Sequence, residues 1–383
     1  MMKKTDRHFR YLARLISPNI RLFTEMLPAE MLVRDNRARA LAFSESEKPL
    51  AIQLGGCKPD ILAAATRYSA LWGYDEVNLN CGCPSPQVIE GGFGAQLMKD
   101  TELAVSCVSA MREACPEKTI ISVKVRLGVD ELYSYDYFSN FVKKVLKAGA
   151  GRIHVHARKA LIKLKPKANR MVPPINYQWV YKLKQEHPDM CITINGEISS
   201  LGPTLEHLEH VDGIMIGRHA YARPLDLVDF DRVISQKPFA ANKASSEILE
   251  EYLIYAKERV NHGVSSRKTL QPLLNLFHGY KNAKIWRRSL SEQMRRGTID
   301  IKEVVERSVE AYDMGASEVC LQGGIHPDYT GEFYLKMVED IMYANDGDWV
   351  ESMTALVENF DGKLEIIEWS KTKGKLTPVE GVK

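Results

Sequence analysis

Over its first 240 residues the chain alternates short apolar runs with longer amphipathic stretches. Arg21–Met26, Leu50–Leu54, Glu76–Asn80, Ile120–Val125, Arg152–His156, Cys191–Asn195 and Gly213–Gly217 each have the length and apolar content of a buried strand. Between them, near residues 6–16, 58–72, 100–114, 136–148, 176–186 and 202–210, apolar positions recur at helical spacing. Strands that alternate with helices predict a parallel sheet covered by helices, either doubly wound or closed as a (β/α)₈ barrel. Seven strands are found where a barrel needs eight. Because the chain opens on a helix, the strand a barrel would lack is its first.

Beyond residue 240 the pattern changes. Ser245–Ile301 reads as continuously helical and basic, with Pro272 and Gly279 as breaks, and predicts a small helical bundle. From Val304 an acidic helix is expected, then a strand at Glu318–Gln322 that enters a glycine turn, then a short strand at Lys363–Trp369 and a basic tail. The expected organisation is a barrel domain over 1–238, a helical domain over 239–305 and an acidic extension over 306–383.

Composition narrows the class. With 45% hydrophobic and 26% charged residues in 383, the chain can bury a substantial core. No apolar run approaches the roughly 20 residues that span a bilayer. The N-terminus, MMKKTDRHFRYLARLI, has basic residues but no signal-peptide core, so a cytoplasmic protein is expected, as a monomer. Charge is unevenly spread: residues 1–300 carry 44 Lys and Arg against 32 Asp and Glu, whereas 301–362 carry 3 against 14. A basic body fits a polyanionic partner. The 7 cysteines are odd in number and scattered, with no C-x-x-C pair, which argues against a disulfide framework and against a zinc site. No metal is expected.

In α/β barrels the C-terminal ends of the strands line the active site. Here those ends deliver Gln53, Asn78, Asn80, Lys124, Arg126, His154, His156, Asn195, Gly196, Gly217 and Arg218. Asn195-Gly196 and Gly217-Arg218 close the last two strands, where barrels bind phosphate through bare backbone N–H groups, and Arg218 adds a charge-assisted bond. Lys124 would set a cation beside an electron-rich ring. Flavin mononucleotide (FMN) meets both demands, with one phosphate and a ring whose reduced anion favours a nearby cation.

The stretches YDEVNLNCGCPSPQVIEGGFGAQLM (74–98), VKVRLG (123–128), HARKALIKLKPKANRMVPPINY (156–177), ING (194–196), DGIMIGR (212–218) and KNAKIWRRSLSE (281–292) together resemble the tRNA-dihydrouridine synthases, in particular their A subfamily. The resemblance runs from residue 1 to about 310. It implies a flavin-dependent barrel with a helical RNA-binding domain that reduces uridine in the tRNA D loop, at positions 20 and 20a, with NADPH as the electron source. It places the acid that protonates C5 of uracil on Cys83, opposite the hydride that reaches C6, and makes Cys81 a packing residue. Gln53, Lys124, His156, Asn195, Gly196, Gly217 and Arg218 fall on flavin-contacting positions. Asn80 falls where the flipped uracil is touched, and Lys167, Arg170, Lys284 and Arg287 fall on tRNA-contacting positions.

The chain departs from this pattern in three places. The family's first strand ends in Ala-Pro-Met, of which only Met1 aligns. Glu197 follows Gly196 where a second glycine is usual, placing a carboxylate near the expected phosphate. Residues 311–335 resemble instead a piece of the radical-SAM deazaflavin (FO) synthases, without their cluster cysteines. A barrel short of a strand leaves unpaired backbone groups that each cost on the order of 1–3 kcal/mol when buried. Poor flavin retention and aggregation are therefore expected unless a strand precedes Met1, and the alternative function is a catalytically impaired tRNA-binding protein. Another flavin barrel acting on a small molecule such as dihydroorotate would share the fold but would leave the second basic domain unexplained.

Overall fold

Seven parallel strands lie side by side in chain order: β1 (Leu22–Pro28), β2 (Leu50–Gly55), β3 (Glu76–Asn80), β4 (Ile120–Arg126), β5 (Arg152–His156), β6 (Ile192–Asn195) and β7 (Gly213–Met215). The computed structural model describes residues 1–34, 37–235, 243–279, 283–297, 299–301, 304–305, 353–358 and 364–369. All seven expected strands form, each within two residues of its expected ends. The six expected helices form as well, at Arg7–Ile16, Pro59–Leu71, Thr101–Glu113, Tyr135–Lys147, Gln178–Glu186 and Leu201–Leu208.

The sheet curls strongly. Phe23 of β1 and His154 of β5 meet edge to face with ring centroids 5.2 Å apart. Four strand spacings in a flat sheet would separate them by roughly 19 Å. Among the described residues β1 and β7 each pair on one side only. The first residues of the chain lie at the mouth between them. The Lys3 N–H donates to Glu25 of β1, and the Met1 sulfur lies 3.7 Å from where a Cβ on Gly217 would sit.

Local chemistry explains the elements. Asp6 caps the first helix by accepting the His8 and Phe9 N–H groups at 3.0 and 2.9 Å, and Phe9, Leu12, Ala13 and Ile16 form its buried stripe. Ser134 caps Tyr135–Lys147 in the same way, and that helix buries Phe138, Phe141, Val142 and Val145. Alternate strand residues such as Val77, Leu79, Ile121, Val123, Ile153, Val155 and Ile194 join these stripes in one continuous core.

The segment after residue 240 is less continuous than expected. One helix spans Ser245–Asn261 and a short one Ser266–Leu270, followed by a tight turn at Gln271–Asn275 and a helix at Ala283–Arg296. The additional break falls at Gly263, whose φ of +82° stops the first helix; at the expected break, Ser266–Leu270 ends just before Pro272, which opens the Gln271–Asn275 turn. Ser245–Asn261 and the Gln271–Asn275 turn sit against Arg7–Ile16. Tyr255 stacks on Tyr11 at 3.9 Å and its hydroxyl meets His8 Nδ1 at 2.9 Å.

Residues Met1–Ala316 form one unit and Ser317–Lys383 another. Within the second, β8 (Met353–Glu358) pairs antiparallel with β9 (Leu364–Trp369). β9 matches the expected strand at Lys363–Trp369. β8 was not expected, although the Asp361-Gly362 pair between the two is a hairpin signal in the sequence. The strand expected at Glu318–Gln322, the FO-synthase-like stretch 311–335 and all but the start of the acidic helix fall outside the described residues.

One buried ion pair ties the first helix to the β1–β2 connection. Arg10 Nε donates to Glu47 Oε2 at 2.7 Å, and Glu47 Oε1 accepts the Ser44 N–H, also at 2.7 Å. Glu47→Ala strands the buried guanidinium and is expected to cost about 3–5 kcal/mol, read as a lower denaturant midpoint with an unchanged slope.

Candidate active site at the strand ends

Glu76, Asn78 and Asn80 alternate along β3 and so share one side of it. Parallel register sets Asn78 beside Gln53 and Ser122, and Asn80 beside Lys124. Their side chains join across the strands. Ser122 Oγ donates to Glu76 Oε1 at 2.6 Å and accepts Asn78 Nδ2 at 2.8 Å. Gln53 Nε2 donates to Asn78 Oδ1 at 2.8 Å, and Asn80 Nδ2 donates to Gln53 Oε1 at 2.9 Å. Glu76 is fully buried and also meets His154 Nε2 and Arg152 Nη1, each at 2.9 Å. Burial alone would raise the Glu76 pKa, but His154, Ser122 and Arg152 together outweigh it and hold the carboxyl at about 2.

β3 runs out into Cys81-Gly82-Cys83. Asn80 Oδ1 accepts the N–H groups of Gly82 and Cys83 at 3.0 and 2.9 Å, which fixes the turn. Cys81 is fully buried in the core. Cys83 is half-buried, and burial raises its pKa against the opposing effects of the Ser85 N–H and Arg126. At neutral pH it is therefore a protonated thiol, suited to giving up a proton. Arg126, itself buried, donates from Nε to the Gly82 carbonyl at 3.2 Å. The opposite wall of the turn is Gly94, with a φ of +66°, where a Cβ would lie 2.5 Å from the Cys83 oxygen. Only glycine fits there.

Positive charge gathers on the other side of the mouth. Lys124 Nζ donates to Asn195 Oδ1 at 2.8 Å, and burial, aided by Arg126, lowers its pKa to about 7. Burial pushes His156 far down, and Arg126, Lys124, Arg158 and Arg218 push the same way, so its ring is neutral. Glu197, the carboxylate that departs from the family pattern, is taken up by Arg158 at 2.6 Å. Among the described residues no carboxylate pairs with Lys124, Arg126, Arg170 or Arg218. Gly196 has a φ of +132°, and a Cβ on it would lie 2.9 Å from Ile175 and 3.2 Å from the His156 ring. Bare backbone beside unmatched cations is what a phosphate-bearing ring ligand requires, and the buried Arg170 Nε has no protein partner.

Gln53, Asn80, Cys83, Lys124, His156, Asn195 and Gly196 thus meet at one end of the sheet, with Gly217 and Arg218 following β7. Arg170 joins them: burial and the neighbouring Arg218 lower its pKa. Lys167 is exposed at the start of the same turn. Lys284 and Arg287 are exposed on Ala283–Arg296, a separate helix whose other face buries Trp286 and Leu290. Reading the sequence did not single out Glu76, Ser122, Arg158 or Tyr177, whose hydroxyl donates to the Gly196 carbonyl at 2.6 Å. For Glu76 and Ser122 a signal was available, since polar residues at a spacing of two inside buried strands point to a polar interior. A cavity of about 580 Å³, lined by Tyr177, Tyr181, Glu197, Glu206, His207 and others, shares Tyr177 and Glu197 with this region but holds none of the strand-end residues expected from the sequence. Among the described residues no three His, Cys, Asp or Glu gather to hold a metal, and no helix is long and apolar enough to cross a membrane.

The family model described as dihydrouridine synthase (Dus) matches residues 1–311. A tRNA-dihydrouridine(20/20a) synthase of Xanthomonas campestris is 43% identical over 322 residues, 84% of this chain and 94% of its own. One from Synechocystis is 45% identical over 293 residues, 76% of this chain and 87% of its own. A solved structure of morphinone reductase in complex with tetrahydroNAD matches 60% of this chain and 82% of its own, at 11% identity and a TM-score of 0.42, too slight a likeness to weigh.

Below about pH 7, Lys124 is charged both folded and unfolded, and folding bears the full cost of burying it. Between about pH 7 and its unfolded value near 10.4, only the unfolded lysine keeps its proton, so stability rises with pH. Ligand-free protein is expected to gain thermal stability relative to Lys124→Met as pH is raised from about 7 to about 10. A pH-independent difference between the two would mean that Lys124 is solvated.

Proposed function

Because the chain belongs to the dihydrouridine synthase (Dus) family, we propose that it reduces the C5=C6 bond of uridine in the D loop of tRNA, at positions 20 and 20a, with bound FMN and with NADPH as reductant. The reading assigns 1–238 to catalysis and 239–305 to tRNA binding, in a cytoplasmic monomer. The observation that carries it is the Cys83 turn, a protonated thiol held by Asn80 at the same strand ends as the unmatched cations.

Gln53 and Lys124 would hold the flavin ring, and His156, Asn195, Gly196, Gly217 and Arg218 the remainder of FMN. When bound and reduced, FMN supplies the hydride for C6. Cys83 supplies the proton for C5, and the thiolate it becomes is stabilised by the buried charge of Arg126. Being half-buried, Cys83 can recover its proton from solvent. Asn80 has both Oδ1 lone pairs committed to the turn and one N–H to Gln53, so it offers the base a single N–H, which suits a uracil carbonyl.

The base must leave its loop to reach this point. Lys167 and Arg170 on one side, with Lys284 and Arg287 on the helical segment, would grip the backbone meanwhile. A second reading, tRNA binding without turnover, has one observation in its favour: β1 and β7 are each paired on one side only among the described residues.

Cys83→Ala is expected to keep NADPH-driven flavin reduction while uridine reduction slows by roughly 10² or more. Cys81→Ala should cost only packing. Dihydrouridine in tRNA is the readout; equal losses from both substitutions would reject the assignment of the acid. If wild type binds tRNA but forms no dihydrouridine, the second reading stands.

Neutralising Lys167, Arg170, Lys284 or Arg287 is expected to weaken tRNA binding and to flatten its log–log salt dependence by about one unit per lost phosphate contact, with flavin content unchanged at Lys167, Lys284 and Arg287, which lie outside the cation cluster. Unaltered binding at physiological salt would mean that tRNA docks on another face.

A further inference from the structure

We propose that Asn78 and Ser122, anchored on Glu76, are positioning residues that hold the Gln53 and Asn80 carboxamides in one orientation and, through Asn80, the turn that carries Cys83. The proposal deepens the functional reading above and rests on it for the meaning of the site, though not for its geometry.

The hydrogen bonds form one directed line. An ionised carboxylate only accepts, so the Ser122 hydroxyl must give its proton to Glu76, as it does at 2.6 Å. Its oxygen is then left to accept Asn78 Nδ2, which turns Asn78 Oδ1 toward Gln53. Gln53 must donate there, which turns its Oε1 toward Asn80. Asn80 in turn gives Nδ2 to Gln53 and keeps Oδ1 for the Gly82 and Cys83 N–H groups.

Those backbone groups only donate, so both ends of the line demand the same direction. Reversing any one amide would set donor against donor and acceptor against acceptor. Glu76, Asn78 and Ser122 are fully buried and Asn80 is nearly so, which leaves little water to relieve such a conflict. The Asn80 end alone leaves Gln53 free to turn about its side chain. The Glu76 end removes that freedom, and with it the slack in Asn80.

Glu76 cannot itself be changed cleanly, since Arg152 and His154 also depend on it. Ser122→Ala cuts the line one link away. Amide hydrogen exchange resolved at Gly82 and Cys83 is the primary measurement, because it needs neither flavin nor turnover. Exchange at these two amides is expected to speed up by about 5–10-fold, the scale of one lost hydrogen bond, and to return toward wild type in Ser122→Thr, which restores the hydroxyl. In an Asn80→Ala background the same Ser122→Ala change should add nothing, because the line then ends before the turn.

A residue that merely filled space would accelerate exchange equally in both backgrounds, and that result, or unchanged exchange in Ser122→Ala, overturns the proposal. Should Ser122→Ala fail to fold, Asn78→Leu breaks the line at the next link with the same expectation. Uridine reduction is the second arm: it should fall about tenfold in Ser122→Ala and recover in Ser122→Thr. If wild type itself makes no dihydrouridine, the functional reading fails, while the exchange arm still decides the relay.

Discussion

Polar side chains on the inner side of a curled, helix-covered sheet have no bulk water to bond with, so each must find its partner in the sheet's own register. That constraint organises the molecule. Parallel pairing sets Gln53, Asn78 and Ser122 level on three neighbouring strands, and curling brings β1 and β5 within contact. The interior is then satisfied by side chains bonding sideways, strand to strand, with the ionised Glu76 as the fixed acceptor among them. The outer side of the same strands is free to be apolar, and it packs against the helices in one core.

The same low-dielectric interior gives the mouth its chemistry. Burial keeps the Cys83 thiol protonated and brings Lys124 close to neutrality, while His156 is neutral among Arg126, Arg158 and Arg218. Glu197 shows how a local departure is absorbed. It sits at a positive φ of 51° beside the glycine cradle, yet its charge is spent on Arg158 and not on whatever binds there. A positive mouth with an acid on one wall is consistent with a phosphate-bearing cofactor and a polyanionic substrate meeting in one place.

The helical segment contributes a second basic surface without a core of its own apart from the barrel. Tyr11, Tyr252 and Tyr255 interleave across the junction, so the helices are seated on the first helix of the barrel. On Ala283–Arg296 the buried Trp286 and Leu290 leave Lys284, Arg287 and Arg288 outward, the division expected of a surface helix that presents charge to a partner.

By itself the sequence determined the order and type of the elements, because a spacing of two or of 3.6 is a property of neighbours along the chain. It also placed Gln53, Asn80, Cys83, Lys124, His156 and Asn195 at strand ends, and these meet in the structure. Its errors were local. A glycine stop at Gly263 was passed over, and the β8 hairpin strand went unread although its turn residues were there. What only the tertiary structure decided is which polar groups satisfy one another. Ser122 is an ordinary strand serine, and Arg158 an ordinary loop arginine, until register and curvature bring Glu76 and Glu197 to them. Such pairings join residues 39 to 46 positions apart in the chain, and no short-range pattern encodes them. The directed hydrogen-bond line from Glu76 to Cys83 exists only once the strands are in register, because its direction is set by what stands at its two ends.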